Sequence, residues 1–152
     1  MWVAEGHGVV LAGPVQVTLE GAAASEGRSE DTDGNPDTPR AELDPVQSWG
    51  TSGEMAWMVT GQHRQPGAWP VAGENIGVEV AGRGERLSLG GGADDVEAGG
   101  ASGGELAVRV WHPIGLGGGV SGGWFLYDTA PLEEPEALSS WHVAARVTAR
   151  WL

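Results

Sequence analysis

The sequence predicts a mainly β chain, an antiparallel sandwich or barrel-like sheet with long glycine-rich and acidic loops. Its C-terminus reads either as a strand or as a helix. Two observations carry the fold class. Apolar and polar residues alternate in several segments, the period of a strand with one face on a core and one in water. Glycine (27 residues) and proline (9 residues) interrupt the chain at short intervals, as connections between many short strands require.

In chain order, Val15, Val17 and Leu19 interleave with Gln16, Thr18 and Glu20. Residues 22–50 are polar, acidic and rich in turn formers, and are expected as a disordered loop. Met55–Val59 is a short apolar run bounded by glycine. Ile76, Val78 and Val80 alternate with Gly77 and Glu79, and Leu87 and Leu89 flank Ser88. Residues 90–104 hold three glycine pairs or triplets around two aspartates and are expected as a flexible loop. Leu106, Val108 and Val110 alternate with Ala107, Arg109 and Trp111. The glycine tract 115–123 leads into the apolar run Trp124–Tyr127.

At the C-terminus, Trp141, Val143, Ala145, Val147, Ala149 and Trp151 alternate without a break. Leu138, Trp141, Ala145, Ala149 and Leu152 also share one helical face, and Pro135 beside Glu133, Glu134 and Glu136 suits a helix start. Two tryptophans and two valines tilt the balance towards a strand.

Composition bounds the chemistry. The 152 residues fit one β-rich domain. The chain has no lysine and no cysteine, and its one phenylalanine and one tyrosine stand beside eight tryptophans. Residue types with G/C-rich codons dominate, which points to a GC-rich genome or to an overlapping reading frame. Without cysteine there are no disulfides, thiolate nucleophiles or cysteine zinc sites. Without lysine there is no Walker A loop and no Schiff-base chemistry. The net charge is −13, and the eight arginines form no run, which argues against nucleic acid and against anionic membrane surfaces. No stretch approaches a spanning helix, and the start Met-Trp-Val-Ala-Glu lacks the basic and apolar regions of an export signal. The expectation is a soluble chain with no membrane partner.

Five patterns bear on possible sites. Asp31, Asp33, Asn35 and Glu42 are spaced like the oxygen ligands of a calcium loop, with Pro36 where such a loop needs glycine. Calcium is the single cofactor the sequence suggests. Gly119-Val120-Ser121-Gly122-Gly123 matches a nucleophile elbow followed by Asp128 and His142, but no strand–turn–helix context surrounds it. Gly117, Gly119 and Gly122 fit a dinucleotide fingerprint that lacks its helix. His7, His63, His112 and His142 are widely separated and form no metal motif. Trp49 and Trp69, in loop-like contexts, are the candidate contact residues for a protein or carbohydrate partner.

No catalytic constellation keeps its structural context. The expected function is therefore a non-enzymatic, acidic, β-rich binding, accessory or structural module. An overlapping-frame orphan product (viral, for instance) with little stable structure is the alternative. A small serine hydrolase using Ser121, Asp128 and His142 is the third reading.

Overall fold

The computed structural model of the chain describes residues 1–30, 39–63, 75–93, 98–128 and 138–149. These form one antiparallel sheet of seven strands in chain order: β1 (Trp2–Ala12), β2 (Val15–Glu30), β3 (Ala41–Met58), β4 (Gly77–Gly91), β5 (Gly99–His112), β6 (Leu116–Tyr127) and β7 (Ser139–Ala149). Each strand pairs with its sequence neighbours, and the sheet is open, with β1 and β7 as its edges.

Tight turns set two of the registers. Gly13 and Pro14 alone link β1 to β2, and Ala12 faces Val15. Gly13 has φ 60°, the conformation that a two-residue hairpin asks of its first central residue and that glycine adopts without a Cβ penalty. Pro113, Ile114 and Gly115 link β5 to β6, with Gly115 at φ 89° and its N–H donating to the His112 carbonyl. Both turns lie at one end of the sheet, here the tight-turn end, where β3 also ends and β4 begins. At the opposite end, here the long-loop end, β2, β4 and β6 end and β3, β5 and β7 begin.

Several expectations are corrected. The expected sandwich or barrel-like sheet is, among the described residues, one antiparallel sheet that is not closed. Among the described residues there is no C-terminal helix, because 139–149 pairs residue for residue with β6 as β7. In the segment 22–50, residues 22–30 belong to β2 and 41–50 to β3, while 31–38 lie outside the described residues. Likewise β4 runs to Gly91 and β5 begins at Gly99, so most of 90–104 is strand. These stretches read as loops because their residues are small and polar. The ladder holds them as strands by pairing to longer partners, as in Ala23↔Trp49 and Leu87↔Ala101. Strand β1 gave no clear signal, since glycine and alanine dilute its alternation.

The pairing sorts the strand residues onto two faces. On one face, Ala12, Val15, Trp57, Val80, Val108, Val120 and Ala145 form a row across all seven strands. Two residues along comes Val10, Val17, Met55, Gly82, Leu106, Gly122 and Val143, and then Gly8, Leu19, Gly53, Gly84, Gly104, Trp124 and Trp141. These three rows carry no charged residue. On the opposite face, the row Thr18, Glu54, Arg83, Glu105, Gly123 and His142 crosses β2 to β7, beside Glu79, Arg109, Gly119 and Arg146.

The two faces are unequally exposed, although among the described residues no second layer covers either. Met58 on the charged face is 0% exposed, while Met55 on the apolar face of the same strand is 61% exposed. Glu79 is 0% exposed and its neighbour Val80 is 42% exposed. A flat single sheet would expose both faces alike. The sheet is therefore curled, with the charged face concave and the apolar face convex. Glycine permits the close approach this requires. A Cβ on Gly117 would lie 2.5 Å from the Trp111 ring, and one on Gly103 would lie 2.6 Å from the Phe125 ring. Both rings cover the glycine directly opposite on the neighbouring strand, as aromatics do when they compensate for glycine in curved sheets.

Candidate functional site

The concave face carries an ion-pair network built across three strands. Arg109 on β5 donates from Nη1 and Nη2 to both carboxylate oxygens of Glu54 on β3, at 3.0 and 2.9 Å. Its Nη1 also donates to Glu79 Oε1 on β4 at 2.8 Å. The guanidinium reaches over β4 because Ala81, buried at 3% exposure, leaves room for it. A two-pronged guanidinium–carboxylate contact is among the stronger and more orienting charge-assisted hydrogen bonds. Around it, Arg83 pairs with Glu85 at 3.2 Å and approaches Glu20 at 3.9 Å. Ser52 Oγ donates to Glu20 at 3.1 Å. His142 Nε2 lies 3.4 Å from Glu105 Oε2, across the bare backbone of Gly123. A cleft of about 410 Å³ opens on this side, lined by Arg83, Glu105, Arg109, Trp111, Ser121 and Arg146 among others.

The convex face has the opposite character. Leu106, Val108, Val110, Val120, Val143 and Val147 are 44–85% exposed there. Of the six tryptophans among the described residues, Trp2, Trp49, Trp57, Trp124 and Trp141 lie on this face and only Trp111 on the other. Trp57 sits towards the tight-turn end. Trp49, Trp124 and Trp141 sit towards the long-loop end, and Trp124 directly faces Trp141. Trp57 stands in the first apolar row and Trp124 and Trp141 in the third, with the second row between them, and Trp49 lies beyond the row of Thr51 and Arg86. Trp49 and Trp57 are eight residues apart on β3, about 27 Å along the strand at ~3.4 Å per residue. Charge appears on the convex face at the long-loop rim, where Arg86 donates to Asp128 Oδ2 at 2.5 Å, to Asp128 Oδ1 at 3.1 Å and to Ser102 Oγ at 2.6 Å.

The residues singled out from the sequence distribute differently. Trp49 is 44% exposed on the convex face, within β3 rather than in a loop. Trp69 lies outside the described residues. So do Asp31, Asp33 and Asn35, while Glu42 is a strand residue of β3 opposite Ser29. Among the described residues, no group of three histidine or acidic side chains is placed to hold a metal ion. Ser121, Asp128 and His142 are not assembled. Ser121 sits within β6, His142 faces Glu105, and Asp128 is engaged by Arg86 at the rim. The stretch Gly117–Gly122 lies inside β6, which continues as strand to Tyr127.

The Arg109–Glu54–Glu79 network was not anticipated from the sequence. A signal for it existed: in β3, β4, β5 and β7, Glu54, Glu79, Arg83, Glu85, Glu105, Arg109 and Arg146 all fall on one parity of the strand alternation. Among the described residues, no helix is long and apolar enough to cross a membrane, a statement that does not bear on strands. No family model, curated protein or solved structure matches the chain.

Proposed function

We propose that this chain is a structural, non-enzymatic wall of a membrane-spanning β-barrel, with its convex face against lipid acyl chains and its concave face lining the interior. One observation carries the reading: the polarity is inverted relative to the curvature. A curled sheet in water hides its apolar residues on the concave side, because removing apolar area from water drives folding. Here Glu54, Glu79, Arg83, Glu105 and Arg109 are inside, and Leu106, Val108, Val120 and Val143 are outside, with Arg86 and Asp128 at the long-loop rim.

Three features support the same reading. Membrane strands alternate apolar-out and polar-in, with an apolar band bounded by aromatic residues at the interfaces, and Trp124 and Trp141 close the uncharged rows of the convex face at the long-loop end, next to the row of Arg86. At a barrel tilt of ~40°, the uncharged convex positions of β7 from Trp141 to Ala149, about 27 Å along the strand at ~3.4 Å per residue, span about 20 Å of height, comparable with the ~25 Å band of such barrels. The strands, 11 to 18 residues long, exceed the ~9–11 residues that a tilted strand needs to cross. The sequence argument against membranes concerned anionic surfaces and helical spans, and a spanning sheet depends on neither.

The test is refolding of the purified chain into phosphatidylcholine vesicles brominated at mid-chain. The expected result is blue-shifted tryptophan emission, quenched by the bromolipid, on protein that resists extraction at alkaline pH. A chain that folds in the aqueous phase as a discrete oligomer, with emission indifferent to bromolipid, would mean that protein covers this face and would refute the reading.

A further inference from the structure

The cleft of about 410 Å³ on the concave face is built as a ligand site, whatever medium covers the convex face. Its floor is bare. Ala107 on β5, Gly119 and Ser121 on β6 and Ala144 on β7 place only small side chains there. A Cβ on Gly119 would lie 3.0 Å from Arg109 Cγ and 2.6 Å from the Val108 carbonyl oxygen, so glycine keeps this floor open. Longer side chains stand around it. Arg109 and Arg146 flank Gly119 on the two neighbouring strands. Trp111 and Thr148 flank Gly117 at one end, and Arg83 and Glu105 stand at the other.

The two arginines beside Gly119 differ. Arg109 is drawn over β4 to Glu54 and Glu79. Arg146 is exposed, and among the described residues it has no hydrogen bond and no ion pair. The Thr148 hydroxyl, two residues along on the same face, likewise has no hydrogen bond among the described residues. A guanidinium fork and a hydroxyl therefore stand side by side, across bare backbone from an indole ring.

The surrounding charge sets the class of ligand. On the concave face the carboxylates Glu20, Glu54, Glu79, Glu85 and Glu105 outnumber Arg83, Arg109 and Arg146. A dianion would find one unengaged guanidinium and a negative field around it. A carboxylate carries a single charge, and its two oxygens match the fork.

We propose that the cleft binds a small monocarboxylate with a flat apolar body. Arg146 donates two hydrogen bonds to the carboxylate, and Thr148 Oγ1 donates a third. The body lies over Gly119 against the Trp111 ring, which supplies the aromatic contact. The volume of about 410 Å³ falls within the ~300–1,000 Å³ of small-molecule sites.

The probe is 4-fluorobenzoate, followed by its fluorine NMR line width. The full chain is used in the medium in which it folds, phosphatidylcholine vesicles or buffer, with protein-free vesicles as the blank. Saturable broadening at one site per chain is expected. Arg146→Gln should weaken binding about 10- to 100-fold, the loss of a charged hydrogen bond, and leave the unfolding midpoint unchanged. 4-Fluorobenzyl alcohol and 4-fluorophenyl phosphate should both bind more weakly than 4-fluorobenzoate.

No saturable binding by the folded chain, or equal affinity in Arg146→Gln, would overturn the proposal. Equal binding of the alcohol or tighter binding of the phosphate would overturn it too. So would a lowered unfolding midpoint in Arg146→Gln, since a carboxylate of the protein would then already hold that guanidinium. A chain that folds in neither medium presents no cleft and also removes it. Saturable binding in buffer removes only the membrane reading, and folding in vesicles without binding removes only the ligand.

Discussion

Leu106→Arg separates a lipid-facing sheet from an ordinary exposed one. Leu106 lies in the second apolar row of the convex face and is 64% exposed. Full burial of a leucine side chain contributes about 1.5–3 kcal/mol, so its exposed two thirds would gain roughly 1–2 kcal/mol on meeting acyl chains. The substitution forfeits that gain and places a guanidinium in hydrocarbon. Together these correspond to the ~2–4 kcal/mol measured for arginine at the midplane of membrane barrels. Ser139→Arg is the control, on the same face but in the row of Arg86 and Ser102 at the long-loop rim, where the cost falls to ~0–1 kcal/mol. The assay is reversible guanidinium unfolding in phosphatidylcholine vesicles, followed by tryptophan emission and far-ultraviolet circular dichroism. On a water-facing sheet, both substitutions should stay within about 0.5 kcal/mol. Equal small effects at Leu106 and Ser139 would refute the reasoning, because no apolar medium would then be in contact with the convex face.

Two further outcomes follow from the packing. Arg109→Met removes the guanidinium shared by Glu54 and the fully buried Glu79, and is expected to cost about 3–5 kcal/mol in the same unfolding assay. Replacing Arg109, Glu54 and Glu79 together with methionine should recover most of that loss, since no buried charge is then left behind. Gly117→Ala drives a Cβ to 2.5 Å from the Trp111 ring and should cost ~1–3 kcal/mol through overpacking. Gly6→Ala, where nothing lies within 4 Å of the new Cβ, should be neutral or stabilising by up to ~1 kcal/mol through the unfolded chain.

Strand content was legible wherever large apolar residues alternate. Val15 to Leu19, Ile76 to Val80, Leu106 to Val110 and Trp141 to Ala149 all lie on or against the strands observed. It was illegible where strands are built from small residues. Gly21 to Ser29 and Gly99 to Gly104 carry little intrinsic strand preference, and neighbouring strands in the ladder hold them extended. The patterns that looked most like chemistry were products of glycine abundance. The nucleophile elbow around Ser121 and the dinucleotide fingerprint at Gly117–Gly122 are both the middle of β6, whose glycines make room for Trp111 and Arg109 from the strand beside it.

The sequence by itself determined that the chain is β-rich and acidic, that it lacks cysteine and lysine chemistry, and that the strands legible in it have one apolar and one polar side. Those properties are local, written in residue type and in a period of two. Only the tertiary structure decided which side faces inward. Alternation is symmetric with respect to the two faces, whereas curling is set by the register of seven strands and by glycines beneath Trp111 and Phe125. The direction of that curl placed Arg109, Glu54 and Glu79 inside and Val108, Val120 and Val143 outside, and the proposal of a membrane barrel rests on that direction.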